Sequence, residues 1–140
     1  MANKNRIGIG YDIHKYRAGR NLILGGVHIP FRLGLDGHSD ADCLTHSIID
    51  AFLGATSNGD IGDMFGIDEP ETEGISSLYL LERVWKELKT EYSIVNLDTV
   101  IIAEKPRLSE YIMEMESNLA KVLKIKEDQL SIKTTTAKKL

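Results

Sequence analysis

A single cysteine, Cys43, excludes an internal disulfide and a cysteine-ligated zinc cluster. Prolines number only three, and no repeat, low-complexity tract or linker divides the chain. Its 140 residues, 42% of them hydrophobic, therefore read as one domain with its own core, spanning 1–140. No apolar run reaches the roughly 20 residues that span a bilayer. MANKNRIG, at the amino terminus, lacks the apolar centre of a secretory signal. The expectation is a cytoplasmic protein with no membrane partner. Basic residues are not in excess: 17 Lys and Arg stand against 21 Asp and Glu, for a net charge of -4. Without a basic stripe, nucleic acid is not an expected partner.

Histidine is also scarce. All four lie in the first third of the chain, at 14, 28, 38 and 46, and three of them keep company with acids.

Hydrophobic periodicity outlines the elements. Arg6 to His14 and Leu22 to Ile29 carry β-branched residues and predict two strands joined through Lys15 to Asn21. From Ser39 or Asp40 to Ala55, the spacing of Leu44, Ile48, Phe52 and Ala55 predicts a helix ended by Gly54 and Ser57-Asn58-Gly59. NGDIGDMFGIDEPETEG, rich in Gly and acids, predicts a long loop of the kind that often carries function. Ser76 or Ser77 predicts the cap of a helix to Thr90, with Leu80, Leu81, Val84 and Leu88 inward. Asn96 to Ala103 predicts a strand, Pro106 the first turn of a helix to Leu123, and Leu130 to Thr135 a last strand. The expected fold is α/β (α+β), in the order β-β-α-α-β-α-β, with a mixed sheet covered by helices on one face. The uncovered face predicts an oligomer.

The chemistry concentrates in GYDIH (10–14) and DGHSDADCLTH (36–46). On a strand, Asp12 and His14 look into the same space. On a helix, Asp42 and His46 lie one turn apart, with Asp50 a turn further on. One carboxylate and two imidazoles suit zinc with an open coordination position, and Asp12, His14 and His46 can make that set, with His38 and Asp42 as neighbours. Taken singly, each residue also has a plainer role. Asp12 and His14 can end a strand in solvent, Asp40 or Asp42 can cap a helix, and His46 can simply pack.

GYDIH, LGGVHIP, HSDADCLTH, GDIGDMF, TVIIAEKPRL and IKTTTAKKL, in this order, resemble the 2-C-methyl-D-erythritol 2,4-cyclodiphosphate synthase family of the non-mevalonate isoprenoid pathway. The resemblance runs from Arg6 to Leu140. It implies a small α/β subunit that assembles as a homotrimer with active sites between subunits. It also implies conversion of 4-diphosphocytidyl-2-C-methyl-D-erythritol 2-phosphate into the cyclic diphosphate and CMP, a phosphorus-oxygen lyase reaction. Asp12, His14 and His46 would hold zinc or another divalent transition metal, which would polarise the attacked phosphate, and no protein nucleophile is required.

Carried over by position, the resemblance makes Asp12, Ile13 and His14 substrate contacts, and sets His38 and Ser39 along the phosphates. His38 and Thr136 would stabilise the transition state. Asp60, Ile61 and Gly62 would hold the methylerythritol hydroxyls, and Phe65, Gly66, Ile67, Asp68 and Glu69 would form a mobile cover. Ala103, Glu104, Lys105 and Pro106, with Arg107, Leu108 and Ser109, would form the cytidine pocket. Thr135, Thr136, Ala137 and Lys138 would lie against the phosphates. Lys133 would add favourable charge there, and Tyr11 would line an apolar channel on the trimer axis.

Two departures from the family pattern stand out. Lys138 occupies the place of the glutamate that helps bind a second divalent ion, magnesium or manganese, and a protonated lysine cannot ligate a hard cation. The chain also stops at Leu140, before the family's final strand. An inner strand is then expected to become an edge. Two further readings fit the residues: a generic metal-dependent phosphohydrolase, and a catalytically silent trimer that binds cytidine nucleotides or isoprenoid diphosphates.

Overall fold

The computed structural model describes residues 4–65 and 74–140. Its elements are β1 (Tyr16–Ala18), β2 (Leu22–Leu24), β3 (Val27–Ile29), β4 (Leu33–Leu35), α1 (Cys43–Ala55) and α2 (Ile61–Phe65). α3 (Ser77–Leu88), β5 (Leu97–Ile102), α4 (Ile112–Leu123) and β6 (Leu130–Thr135) follow. Short 3-10 turns at Ser109–Tyr111 and Glu127–Gln129 lead into α4 and β6.

The two long helices form where the periodicity places them. Leu44, Ile48 and Phe52 of α1 are buried together with Ile49 and Leu53, and α3 buries Leu80, Leu81, Val84 and Leu88. α3 packs between α1 and α4, and α4 packs onto β6. Leu22, Leu24, Val27 and Ile29 join the same core, along with Met115, Leu119, Leu123, Leu130 and Ile132. Each such side chain, fully buried, contributes about 1.5–3 kcal/mol of transfer free energy.

The strands depart from expectation. Among the described residues they form three two-stranded ladders rather than one mixed sheet: β1 with β4 and β2 with β3, both antiparallel, and β5 with β6, parallel. Leu22 to Ile29 is a hairpin turning at Gly25-Gly26, with φ of 56° and 72°. Both glycines are required, because a Cβ on Gly25 would meet Met115 Cβ at 2.7 Å and one on Gly26 would meet Leu78 Cδ1 at 2.2 Å. The long acidic loop is broken by α2. Pro106 does not open the helix: it follows a cis peptide bond with Lys105 in the loop after β5, and α4 begins at Ile112.

Arg6 to His14 carries no strand pairing among the described residues, contrary to the expected first strand. The segment is held by backbone contact with α1 instead. A Cβ on Gly8 would lie 1.8 Å from the Ala51 carbonyl oxygen, and one on Gly10 would lie 1.6 Å from that of Ser47. The even-numbered positions therefore face the helix. Ile7, Ile9, Tyr11 and Ile13 are 94%, 90%, 74% and 74% exposed.

The parallel pair has the same asymmetry. Leu97, Thr99 and Ile101 of β5, with Leu130 and Ile132 of β6, turn inward, whereas Asp98, Val100 and Ile102 are exposed.

Candidate metal centre

Gly8 and Gly10 bring Asp12 and His14 alongside the first half of α1, where His46 projects. Asp12 Oδ2 lies 2.8 Å from His14 Nε2 and 3.3 Å from His46 Nδ1. One ligand atom from each of the three lies within 4.8 Å of the others. All three side chains are mostly shielded, 14–23% exposed.

Burial opposes ionisation of Asp12. Hydrogen bonds from His14 and His46 outweigh that cost and hold its carboxyl well below the usual carboxylate range. The His14 pKa is raised, chiefly by its hydrogen bond with Asp12, against the opposing effect of burial.

The outer atoms of the trio are engaged too. Asp12 Oδ1 accepts the Ile13 N–H at 3.1 Å, which leaves Oδ2 to face the imidazoles. His14 Nδ1 donates to the Asp36 carbonyl at 2.6 Å, so a neutral His14 presents the Nε2 lone pair to the centre. His46 Nε2 sits 2.7 Å from Ser77 Oγ and 3.1 Å from Ser39 Oγ. The Cys43 thiol, pushed up to about 12 chiefly by burial, donates to the Asp12 carbonyl at 3.0 Å. A carboxylate and two neutral imidazoles, each steadied from behind, fit a divalent zinc-type ion that keeps an open position.

Asp42 faces elsewhere. Fully buried, it accepts from Gly25 N–H at 2.9 Å, Gly26 N–H at 2.8 Å, Thr45 N–H at 3.0 Å and Thr45 Oγ at 2.8 Å. It therefore caps α1 and clamps the hairpin turn instead of serving as a neighbour of the trio. Burial pushes its carboxyl up, and the donors of Thr45 and Gly26 pull against that. Asp50, half-buried one helical turn beyond His46, accepts the Ile61 N–H at 3.1 Å and so fixes the start of α2.

The other expected site residues lie around this centre. His38 is exposed, its carbonyl accepting from Gly74 N–H at 3.1 Å, and Ser39 is buried against His46. Ile13 points away from the trio. Asp60 precedes α2 and its Oδ1 accepts the Asp63 N–H at 2.9 Å, while Ile61 and Gly62 form the first turn. Phe65 ends α2, and Gly66, Ile67, Asp68 and Glu69 lie outside the described residues.

A second cluster forms at the carboxyl ends of β5 and β6, where parallel sheets characteristically take ligands. Ala103 N–H donates to the Thr135 carbonyl at 3.0 Å, so Ala103 to Ser109 and Thr135 to Lys138 leave the sheet side by side. The Tyr16 hydroxyl donates to the Lys105 carbonyl, and Arg107 Nε donates to Ser109 Oγ at 3.1 Å. Leu108 is buried beneath. Glu104 Oε1 accepts the Lys139 N–H at 3.1 Å, and Lys138 N–H reaches Thr136 Oγ at 3.3 Å. Lys133 pairs with Asp98 at 2.8 Å on the exposed face of the ladder.

Sequence reasoning gave no site role to Asp36 or Cys43, and read Asp40 and Ser77 only as helix caps. Ser77 looks like a helix cap, and only the docking of α3 against α1 turns its hydroxyl to His46.

The fold and the trio together define a class: a small α/β protein with an Asp/His/His centre beside strand-end loops. The chain belongs to the YgbB family, whose model matches residues 5–140. It is 52% identical over 136 residues to the 2-C-methyl-D-erythritol 2,4-cyclodiphosphate synthase of Desulforamulus reducens, covering 96% of this chain and 87% of that protein. The enzyme of the same name from Synechococcus elongatus is likewise 52% identical, with 96% and 85% covered. Among solved structures, the IspF–CDP complex of Plasmodium falciparum superposes with a TM-score of 0.85 at 38% identity, covering 100% of this chain and 86% of that one. The bifunctional IspDF of Campylobacter jejuni gives 0.92 at 34% identity, covering 96% of this chain and 37% of that larger one.

Proposed function

We propose that this chain converts 4-diphosphocytidyl-2-C-methyl-D-erythritol 2-phosphate into 2-C-methyl-D-erythritol 2,4-cyclodiphosphate and CMP, as a phosphorus-oxygen lyase of isoprenoid biosynthesis. The observation that carries this reading is the Asp12, His14 and His46 trio, whose inner atoms converge while the outer nitrogen of each imidazole is engaged by a partner. The names of its curated relatives support the reaction.

An oxygen of the 2-phosphate forms a bond to the β-phosphorus. The bond from that phosphorus to the bridging oxygen breaks, and its electron pair leaves with CMP. The three ligand side chains would hold zinc, or another divalent transition metal, which would supply Lewis-acid polarisation of a phosphate oxygen. What remains for the protein is to hold two anionic groups in reacting geometry and to offset their charge.

His38, Ser39, Thr135 and Thr136 take the phosphates, with His38 and Thr136 on the transition state. Asp60, Ile61 and Gly62 take the methylerythritol hydroxyls, covered by Phe65 to Glu69. Ala103 to Ser109 take the cytidine through backbone groups, a role that fits a loop fastened by Tyr16 and Leu108. The CDP in the Plasmodium falciparum complex supports a ligand of that chemistry. Lys138 supplies positive charge near the diphosphate where a glutamate would instead bind magnesium or manganese.

The subunits assemble as homotrimers with the sites between them. The stripe of Ile7, Ile9, Tyr11 and Ile13, together with exposed Val100 and Ile102, supports such an interface. The setting is the cytoplasm, where the lone Cys43 remains a thiol.

Phosphorus NMR of the zinc-loaded protein with magnesium and this substrate tests the reading. CMP and the cyclic diphosphate appear, and His46→Ala abolishes both. Release of inorganic phosphate from simple phosphomonoesters would instead indicate a phosphohydrolase. Nucleotide binding without turnover would indicate a silent binder.

A further inference from the structure

Ser77 is fully buried, yet its hydroxyl serves two partners. It lies 2.7 Å from His46 Nε2 and hydrogen-bonds Asp40 Oδ1. Asp40 is itself surrounded by donors: Oδ2 accepts the Ser77 N–H at 2.9 Å, and Oδ1 accepts the Asp42 N–H at 3.1 Å. A carboxylate so placed is an acceptor only, so the single Ser77 proton goes to Asp40. That leaves Ser77 Oγ with lone pairs toward His46, and His46 Nε2 must donate. When His46 acts as a neutral ligand, its one proton is thereby placed on Nε2, and the Nδ1 lone pair is left for an ion shared with Asp12.

We infer that Asp40 and Ser77 are positioning residues that select the His46 tautomer through an Asp40–Ser77–His46 chain. The inference rests on reading the trio as a metal site.

Ser39 is the more distant partner of His46. Its Oγ lies 3.1 Å from Nε2, against 2.7 Å for Ser77 Oγ, and it also accepts the Ala41 N–H at 3.3 Å. Asp40 also holds the amino end of α3, where Ser76 makes no side-chain cap bond, so one carboxylate both docks the helix and orients the imidazole. Backbone bonds from Gly74 N–H to the His38 carbonyl and from Asp40 N–H to the Ile75 carbonyl keep the two segments in register.

The test uses Ser77→Ala and Ser77→Thr in the whole protein, because Asp40 variants would also uncap α3. Cobalt(II) serves as the probe ion, its affinity measured by chelator competition, and nitrogen-15 shifts of the His46 ring report the tautomer. We expect Ser77→Ala to lower cobalt affinity about 10- to 100-fold and to give His46 a mixture of Nδ1–H and Nε2–H forms. Ser77→Thr, which keeps the hydroxyl, should restore both. A folded Ser77→Ala protein with wild-type affinity and a pure Nε2–H ring overturns the inference, as does failure of Ser77→Thr to rescue either readout. Neither readout uses the substrate. Absence of CMP with these effects intact therefore counts against the proposed reaction alone, whereas turnover without these effects counts against the positioning chain alone.

Discussion

The trio around α1 and the loops beyond β5 and β6 are built in opposite ways. At the trio every outer nitrogen is fixed by a partner: Asp36 behind His14, and Ser77 with the nearby Ser39 behind His46. At the strand ends Glu104, Lys105, Arg107, Thr135, Thr136 and Lys138 are exposed, tied down by a few bonds from Tyr16, Ala103 and Lys139. One region is pre-shaped for a small ion with strict geometry. The other leaves its polar groups open to solvent.

The largest effect should come from the frame beneath the trio. Asp42→Ala removes the α1 cap and leaves the Gly25 and Gly26 N–H groups short of an acceptor, for a loss of about 3–5 kcal/mol. Urea unfolding measures it, and a loss under 1 kcal/mol would mean that the turn finds another acceptor.

A pH titration sharpens the contrast within the trio. The folded-state pKa of His14 is raised, so the metal-free protein gains stability from protonated His14 below the unfolded value near 6.5 and loses it as pH rises through the folded value. Metal binding runs the other way, because the ion needs the Nε2 lone pair. Affinity should fall as pH drops, beginning above 6.5 and approaching tenfold per unit, while Asp12 stays ionised throughout. Chelator competition between pH 8 and 6, about the range over which the proton competes, measures the slope. A flat profile would remove His14 from the ligand set.

The smallest effect should come from the open region. Tyr16→Phe deletes the hydroxyl that fastens the Lys105 carbonyl, worth about 1 kcal/mol. KM should rise severalfold, with kcat and metal affinity unchanged. A change in metal affinity would show that the two regions are not independent.

Much of this was legible in the sequence, and the failures have physical causes. Alternation in Arg6 to His14 correctly sets Asp12 and His14 on one side, but the period alone cannot tell a paired strand from an extended segment laid against a helix. Gly8 and Gly10 were the clue, since only a missing Cβ lets that backbone touch α1. Asp42 shares a helical spacing with His46, yet a cap residue lies outside the helix and follows its own hydrogen bonds, here to a hairpin 17 residues earlier. Pro106 fits a helix start by composition and instead sits in the loop before one. The roles of Asp40 and Ser77 depend on docking between segments 37 residues apart, which no local pattern encodes.

That dependence ties the alignment of the centre to the docking of α3. His46 is braced across 31 residues by Ser77, so a nascent chain that has made α1 but not α3 carries the ligands without their alignment. An ion that prefers the aligned state acts as a thermodynamic latch on helix docking. At a thousandfold excess over its dissociation constant it would add about 4 kcal/mol to the stability of the folded chain, and in an ion-starved cell the same chain would fold closer to its melting threshold.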